Sequence, residues 1–168
     1  MAQIVFRAIE KEDLKLIHKW RNSDNVMPNC RQYRPLSMQD MEGWYSSLKQ
    51  DNDYNLTNDM FVIEKDNKPI GVCGLVRIDW RNRKGEISFY IADISDCNKE
   101  NISNSLLLLV DYAFKTLNIH KVVFPVYSFN HLLPIYAEIL DEEYRAEEEY
   151  YWDGKYWDRI ILSAYNDE

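Results

Sequence analysis

Lys84-Gly85-Glu86-Ile87-Ser88-Phe89-Tyr90-Ile91-Ala92 is followed by the polar stretch Asp93 to Asn101 and then by an apolar series from Ile102 to Leu117, ending before Lys121. The first segment leaves a basic turn, Arg81 to Gly85, and its β-branched and aromatic content predicts a strand. Asp93 to Asn101 has no apolar period and predicts a loop. Ile102 to Leu117 predicts a helix, with Leu106–Val110 at its centre and Ala113, Phe114 and Leu117 extending it by further turns. A polar loop that opens a helix can hold a phosphate, because the first turn offers N–H groups and the positive end of the helix dipole. An ordinary strand-to-helix connection that binds nothing is the commoner use of the same shape.

Upstream, Ile4 to Ile9 predicts a strand and Glu12 to Asn22 a helix, with Leu14, Ile17 and Trp20 on one face. Ser23 to Gln32 is irregular, broken by Pro28, and Arg34-Pro35-Leu36 reads as a short extended piece. Ser37-Met38-Gln39-Asp40 starts a second helix in the manner of a capping box. Its stripe of Met38, Met41, Trp44, Tyr45 and Leu48 reads mainly as core, with Trp44 or Tyr45 available to line a pocket. Met60 to Glu64 and Pro69 to Trp80 are strands joined at Asp66-Asn67-Lys68. Gly71 and Gly74 inside the second strand mark a bulge or a close backbone approach. Downstream, Lys121 to Val126 is a strand, Leu132 to Leu140 a short helix, and Asp153-Gly154 the turn of a terminal hairpin between Tyr144–Trp152 and Tyr156–Tyr165. The order β-α-α-β-β-β-α-β-α-β-β predicts a mixed α/β fold in one domain over residues 1–168.

The 168 residues carry 20 basic and 28 acidic side chains, a net charge of −8. That balance argues against nucleic acid and against an anionic membrane surface, and it tolerates a cationic amine. Cys30, Cys73 and Cys97 are odd in number and widely spaced, so free thiols in a reducing, cytoplasmic setting are expected. Met1-Ala2-Gln3-Ile4 does not read as a secretory leader, and Leu106–Val110 is too short to span a bilayer. His18, His120 and His131 lack ligand spacing, so no metal is expected.

Short blocks in a particular order carry a family likeness. They are Phe6-Arg7-Ala8 with Asp13-Leu14, Trp20-Arg21-Asn22-Ser23, Arg34-Pro35-Leu36-Ser37 with Trp44-Tyr45, and Pro69-Ile70-Gly71. After them come Gly85 to Ile91, Asp111-Tyr112-Ala113-Phe114 through Val122, Asn130, and Asp153 to Asp158. Together they resemble the GCN5-related N-acetyltransferases, in particular the group of ribosomal-protein, spermidine and amino-sugar N-acetyltransferases. The resemblance implies that family's fold, a central, mostly antiparallel sheet flanked by helices. It also implies acetyl-CoA as co-substrate and, as acceptor, a primary amine on a peptide or small molecule: a protein N-terminus, a polyamine or an amino sugar. A homodimer stays open. By the same likeness, Phe89, Tyr90 and Ile91 offer backbone hydrogen bonds to the pantetheine arm between two splayed strands. Asn98, Lys99, Asn101, Ile102 and Ser103 sit where the family holds pyrophosphate, and Asn130 either touches the coenzyme A chain or caps the next helix.

Two departures stand beside these matches. The family's phosphate loop has glycines, and no register of Asp93–Ser103 supplies one, while Glu100 adds a negative charge. This implies weakened coenzyme A binding, and with it the alternative of a degenerate member serving as a binding or assembly module. The family's acid tyrosine also falls on Ala137, one step after Tyr136, and a helix step turns a side chain by about 100°. A late helix start at Pro134 would restore the register. Acetyl transfer needs a base for the amine and an acid for the leaving thiolate. Glu86 is the candidate base and Tyr136 the candidate acid. The plainer alternatives are a surface carboxylate balanced by Arg83 and Lys84, and a packed core tyrosine. The acidic residues from Asp141 to Glu149 read as a solvated face, or as a recognition surface for a cationic partner.

Overall fold

The computed structural model describes residues 3–48 and 56–167. Met1 and Ala2, part of the leader reading above, lie outside the described residues. Seven strands form one sheet in the order β1-β2-β3-β4-β5-β7-β6. They are β1 Ile4–Ala8, β2 Asp59–Lys65, β3 Lys68–Asp79, β4 Lys84–Ile91, β5 Lys121–Tyr127, β6 Asp141–Trp152 and β7 Lys155–Tyr165. The helices are α1 Leu14–Arg21, α2 Met38–Leu48, α3 Lys99–Asp111 and α4 Leu133–Tyr136. The element order is the one the sequence predicts, and the fold is mixed α/β with a mostly antiparallel sheet.

Every strand pair is antiparallel except β4 with β5. That parallel pair is short: Lys84 faces Lys121, Gly85 faces Val122, Glu86 faces Val123, and the ladder ends there. Two positions further along, β5 carries Pro125, which has no N–H to donate. Beyond Glu86, β4 therefore runs on to Ile91 without β5 alongside it. The sheet is opened at its centre.

Each face of the sheet is covered by different helices. Ile102, Leu106, Leu109 and Ala113 pack against Ile87, Phe89 and Ile91 of β4 and against Val122, Phe124 and Val126 of β5. On the other face, Leu14, Ile17, Trp20 and Met41 of α1 and α2 pack against Val62, Val72 and Ala92. The strict alternation of β4 puts Ile87, Phe89 and Ile91 on the α3 face, so Glu86, Ser88 and Tyr90 point to the α1–α2 face. Burying such a large aliphatic or aromatic side chain contributes about 1.5–3 kcal/mol.

Local chemistry sets the boundaries, and several differ from the sequence expectation. α3 begins at Lys99, three residues before its apolar series, because Asn98 caps it: the Asn98 side chain accepts the Asn101 N–H at 3.0 Å. At its other end the regular helix stops at Asp111 and widens into a π turn over Tyr112–Thr116. α2 opens on a full capping box, with the Asp40 N–H donating to Ser37 Oγ and the Ser37 N–H donating to the Asp40 carboxylate. Arg34-Pro35-Leu36 forms no strand; the Leu36 backbone is held instead by Asn22, which takes its N–H at 2.8 Å and donates to its carbonyl at 2.9 Å. α4 is a single turn with Pro134 in its first turn, shorter than the helix expected to Leu140. The last hairpin turns at Asp153 (φ 50°) and Gly154 (φ 82°), the pair of left-handed residues that a type I′ turn requires.

Candidate active site

The gap between β4 and β5 opens on both faces of the sheet. On the α3 side it is a narrow cleft lined by Phe89, Ile91, Cys97, Phe124, Asn130 and Tyr136, among others. On the α1–α2 side it adjoins a cavity of about 500 Å³, lined by Arg21, Asn29, Arg31, Trp44, Arg77 and Glu86 with the outer residues of β4. Asn29, Phe89, Tyr90, Phe124 and Pro125 are walls common to both. A ligand threaded through the gap would have one group in the cleft and another in the cavity.

Among the described residues Glu86 is the anionic group lining the cavity. Its side chain is only 14 % exposed, and Arg31 and Arg77 hold it. The Arg31 Nη2 group donates to Oε1 at 2.5 Å. The Arg77 Nη1 group donates to Oε1 at 3.1 Å and Oε2 at 3.0 Å. Arg83 and Lys84, the neighbours expected to balance it, are not its partners; the Arg83 guanidinium donates to Asn118 instead. Three contacts occupy three of roughly four lone-pair positions on a carboxylate, so among the described residues one position on Oε2 is left without a donor. Arg31 follows the 3-10 turn Met27–Cys30 with φ 54°, and Arg77 sits at the β3 irregularity with φ 51°.

Tyr136 is 2 % exposed. Its ring is edge-on to Phe89 at 6.1 Å and tilted against Phe124 at 4.9 Å. The short α4 turns this tyrosine into the cleft rather than away from it. Burial, reinforced by Cys97 and Cys30, pushes its phenol well above the usual tyrosine range, so it keeps its proton. Asn130 stands at the entry to α4, its Oδ1 accepting the Leu132 N–H at 2.9 Å. Cys97 donates to the Ile91 carbonyl at 3.3 Å, and burial raises its thiol, so it is not a thiolate nucleophile.

Three polar atoms around the cavity are buried without a protein partner: Arg21 Nε, Asn29 Oδ1 and the Tyr90 hydroxyl. Leaving such an atom unpaired costs about 1–3 kcal/mol. Their clustering on one cavity fits a site completed by a ligand.

The remaining sequence candidates form the first turn of α3 and line neither space. Lys99 pairs with Glu138 at 2.6 Å. Asn101 is buried with its amide on the Asp96 carbonyl at 3.0 Å, and Ile102 lies in the core. Both backbone N–H groups are also taken, that of Asn101 by the Asn98 side chain and that of Ile102 by the Asn98 carbonyl at 3.1 Å. The structure thus gathers Glu86, Phe89, Tyr90, Ile91, Asn130 and Tyr136 around the gap, with the α3 terminus beside it. Asn29, Arg31 and Arg77 join them unannounced by any motif, as does Arg21, which stands in a family block without a site role there; the left-handed backbone of Arg31 and Arg77 is a three-dimensional signal only. Among the described residues no group of three or more His, Cys, Asp or Glu is placed to hold a metal, and no helix is long and apolar enough to cross a membrane.

The sequence profile of the acetyltransferase (GNAT) domain matches residues 3–132. The chain belongs to that family. Its reaction class is acetyl transfer from acetyl-CoA to an amine nitrogen. Similar proteins include a spermidine N(1)-acetyltransferase of Vibrio cholerae, 29 % identical over 161 residues, covering 94 % of this chain and 90 % of that one. An Escherichia coli spermidine N(1)-acetyltransferase is 24 % identical, covering 96 % and 86 %. The crystal structure of the Vibrio cholerae spermidine N-acetyltransferase in complex with CoA and spermine superposes with a TM-score of 0.87 at 28 % identity, covering 97 % of this chain and 95 % of that one.

Proposed function

We propose that this chain, acting as one domain, acetylates a primary amine bound over Glu86, with acetyl-CoA held along the free edge of β4. The observation that carries this is the ending of the β4–β5 ladder at Glu86 and Val123, with a candidate base on one side of the gap and a buried phenol on the other. Past Glu86 the β4 backbone has hydrogen-bonding groups on its β5 side that no ladder uses, and Phe89 to Ile91 would pair with the pantetheine amides. The Lys99 and Glu100 N–H groups, in the first turn of α3, have no intrahelical partner and would face the pyrophosphate. Asn130 is spoken for by its cap and would reach the arm only through its amide group.

Acetyl-CoA supplies an activated thioester carbonyl. Glu86 takes the proton of the attacking amine on its remaining Oε2 lone pair, directly or through water. A β4 N–H stabilises charge that develops on the carbonyl oxygen. Tyr136, kept protonated by burial, gives its proton to the departing sulfur. The named relatives make spermidine and spermine the first acceptors to try.

Calorimetric titration with acetyl-CoA, followed by thiol release with an amine panel, tests this. Binding at micromolar strength, about −8 kcal/mol, and amine-dependent thiol release are expected. The glycine-free approach to α3 favours the opposite reading, a fold kept for binding without transfer. No binding at millimolar acetyl-CoA would end the transfer reading.

A further inference from the structure

The cavity over Glu86 carries a surplus of positive charge in its described lining, which does not suit a polyamine. Among the described residues its permanently charged lining is Arg21, Arg31, Arg77 and Glu86, three cations to one anion, in a chain whose net charge is −8. Cys30 and Tyr90, also in the wall, are held neutral by burial. A linear polyamine would bring two or more ammonium groups into this surplus of guanidinium. Glu86 cannot absorb the surplus. Each guanidinium carries about five N–H donors, whereas the carboxylate has two oxygens. Arg31 and Arg77 place three contacts on it. Arg21, at the end of α1, makes none of these contacts, and its buried Nε has no protein partner. Guanidinium forks match carboxylate and phosphate in geometry as well as in charge.

Resting on the acetyl-transfer reading, we propose that the natural acceptor is a primary amine whose own molecule carries a carboxylate or phosphate group. The anion is read by Arg21 together with the outward donors of Arg31 and Arg77, while Glu86 faces the amine. The acidic exterior does not contradict this, because binding is decided by the charges inside the cavity, where the low dielectric strengthens them.

The test uses the full chain with saturating acetyl-CoA and measures initial thiol release for matched acceptors. One pair is glucosamine and glucosamine 6-phosphate; the other is 1,5-diaminopentane and 5-aminopentanoate, with spermidine alongside. The phosphate and carboxylate arms separate the two anion types. At least one anionic member should exceed its partner and spermidine by tenfold or more in kcat/KM. Arg21→Gln should remove most of that preference, chiefly through KM, and Arg21→Lys should restore part of it. Neither change should move the acetyl-CoA Kd beyond twofold.

Preference for spermidine or the diamine, or no turnover of either anionic amine, overturns the inference. So does a preference unchanged in Arg21→Gln, or a loss of acetyl-CoA binding in that variant, which would assign the arginine to the donor. Spermidine turnover with tight acetyl-CoA binding would still leave the acetyl-transfer reading standing. A wild-type chain that binds no acetyl-CoA loses both.

Discussion

Removing one oxygen atom tests the assignment of the acid. Tyr136→Phe deletes the hydroxyl and keeps the ring, so the contacts to Phe89 and Phe124 survive. The net worth of an ordinary hydrogen bond is about 1 kcal/mol, so stability should change by no more than that. Catalysis should change far more. A positioned general acid contributes about 10²–10⁴-fold, which is ~2.7–5.4 kcal/mol of barrier. Because the phenol's pKa is raised above its ordinary 10.0, the competent protonated form persists as pH climbs through 10. An acid works below its pKa, so the wild-type rate should show no loss from this group before that point. Single-turnover thiol release at saturating donor and acceptor, from pH 7 to 10, keeps product release from masking the step. The expected result is a fall of at least 10²-fold in rate, with the acetyl-CoA Kd within threefold and the melting temperature nearly unchanged. A rate within threefold of wild type would refute the assignment and return Tyr136 to the core as a packing residue.

Glu86→Gln should lower kcat/KM by 10²-fold or more without loosening acetyl-CoA, measured by thiol release and calorimetry; equal losses in both would mean that the carboxylate serves only to hold Arg31 and Arg77. Glu100→Gln removes the negative charge from the first turn of α3. A unit charge about 10 Å away in a medium of effective dielectric near 40 amounts to ~0.8 kcal/mol, so the acetyl-CoA Kd should tighten about fourfold at low salt and less at high salt. The Arg7 guanidinium holds Asp13 below its ordinary 3.8, chiefly by hydrogen bonding. A depressed carboxylate contributes stability above its unfolded pKa and loses it as pH falls through the folded value. Asp13→Asn should therefore lose less melting temperature than wild type between pH 5 and pH 2.5, and an equal loss would show that the pair contributes nothing.

The fold was legible where one residue type decides a backbone state. Asp153-Gly154 announces a type I′ hairpin, and both residues have positive φ. The β4 alternation announces two different faces, and the two helix layers cover them. Boundaries were less legible where a polar side chain overrides the apolar pattern. Asn98 starts α3 three residues before its hydrophobic series, and β6 begins at Asp141 because an edge strand has no need to alternate. At the site, Glu86 could be picked out from its place on the central strand, but its partners could not. Sequence proximity suggested Arg83 and Lys84. The actual partners come from an irregular loop 55 residues upstream and from the neighbouring strand, contacts that only the tertiary fold creates.

Two of the left-handed backbone positions fall at the charged cluster. Asp66, Asn67, Asn118 and Asp153 adopt positive φ in turns, where short polar side chains tolerate it. Four longer side chains also take the left-handed conformation: Arg83 in the β3–β4 turn, Glu148 at a register shift of β6, and Arg31 and Arg77, which both end on Glu86. Such a state costs about 1 kcal/mol or more and persists only where the surroundings impose it. A single surface ion pair returns less than that, and Arg31 and Arg77 remain 38 % and 65 % exposed. The conformation belongs to the β3–β4 register shift at Arg77 and to the end of the 3-10 turn at Arg31. Their fixed position makes sense if it is used: to aim one carboxylate into the gap beyond the last β4–β5 pair, and to keep the rest of two guanidiniums facing whatever enters the cavity.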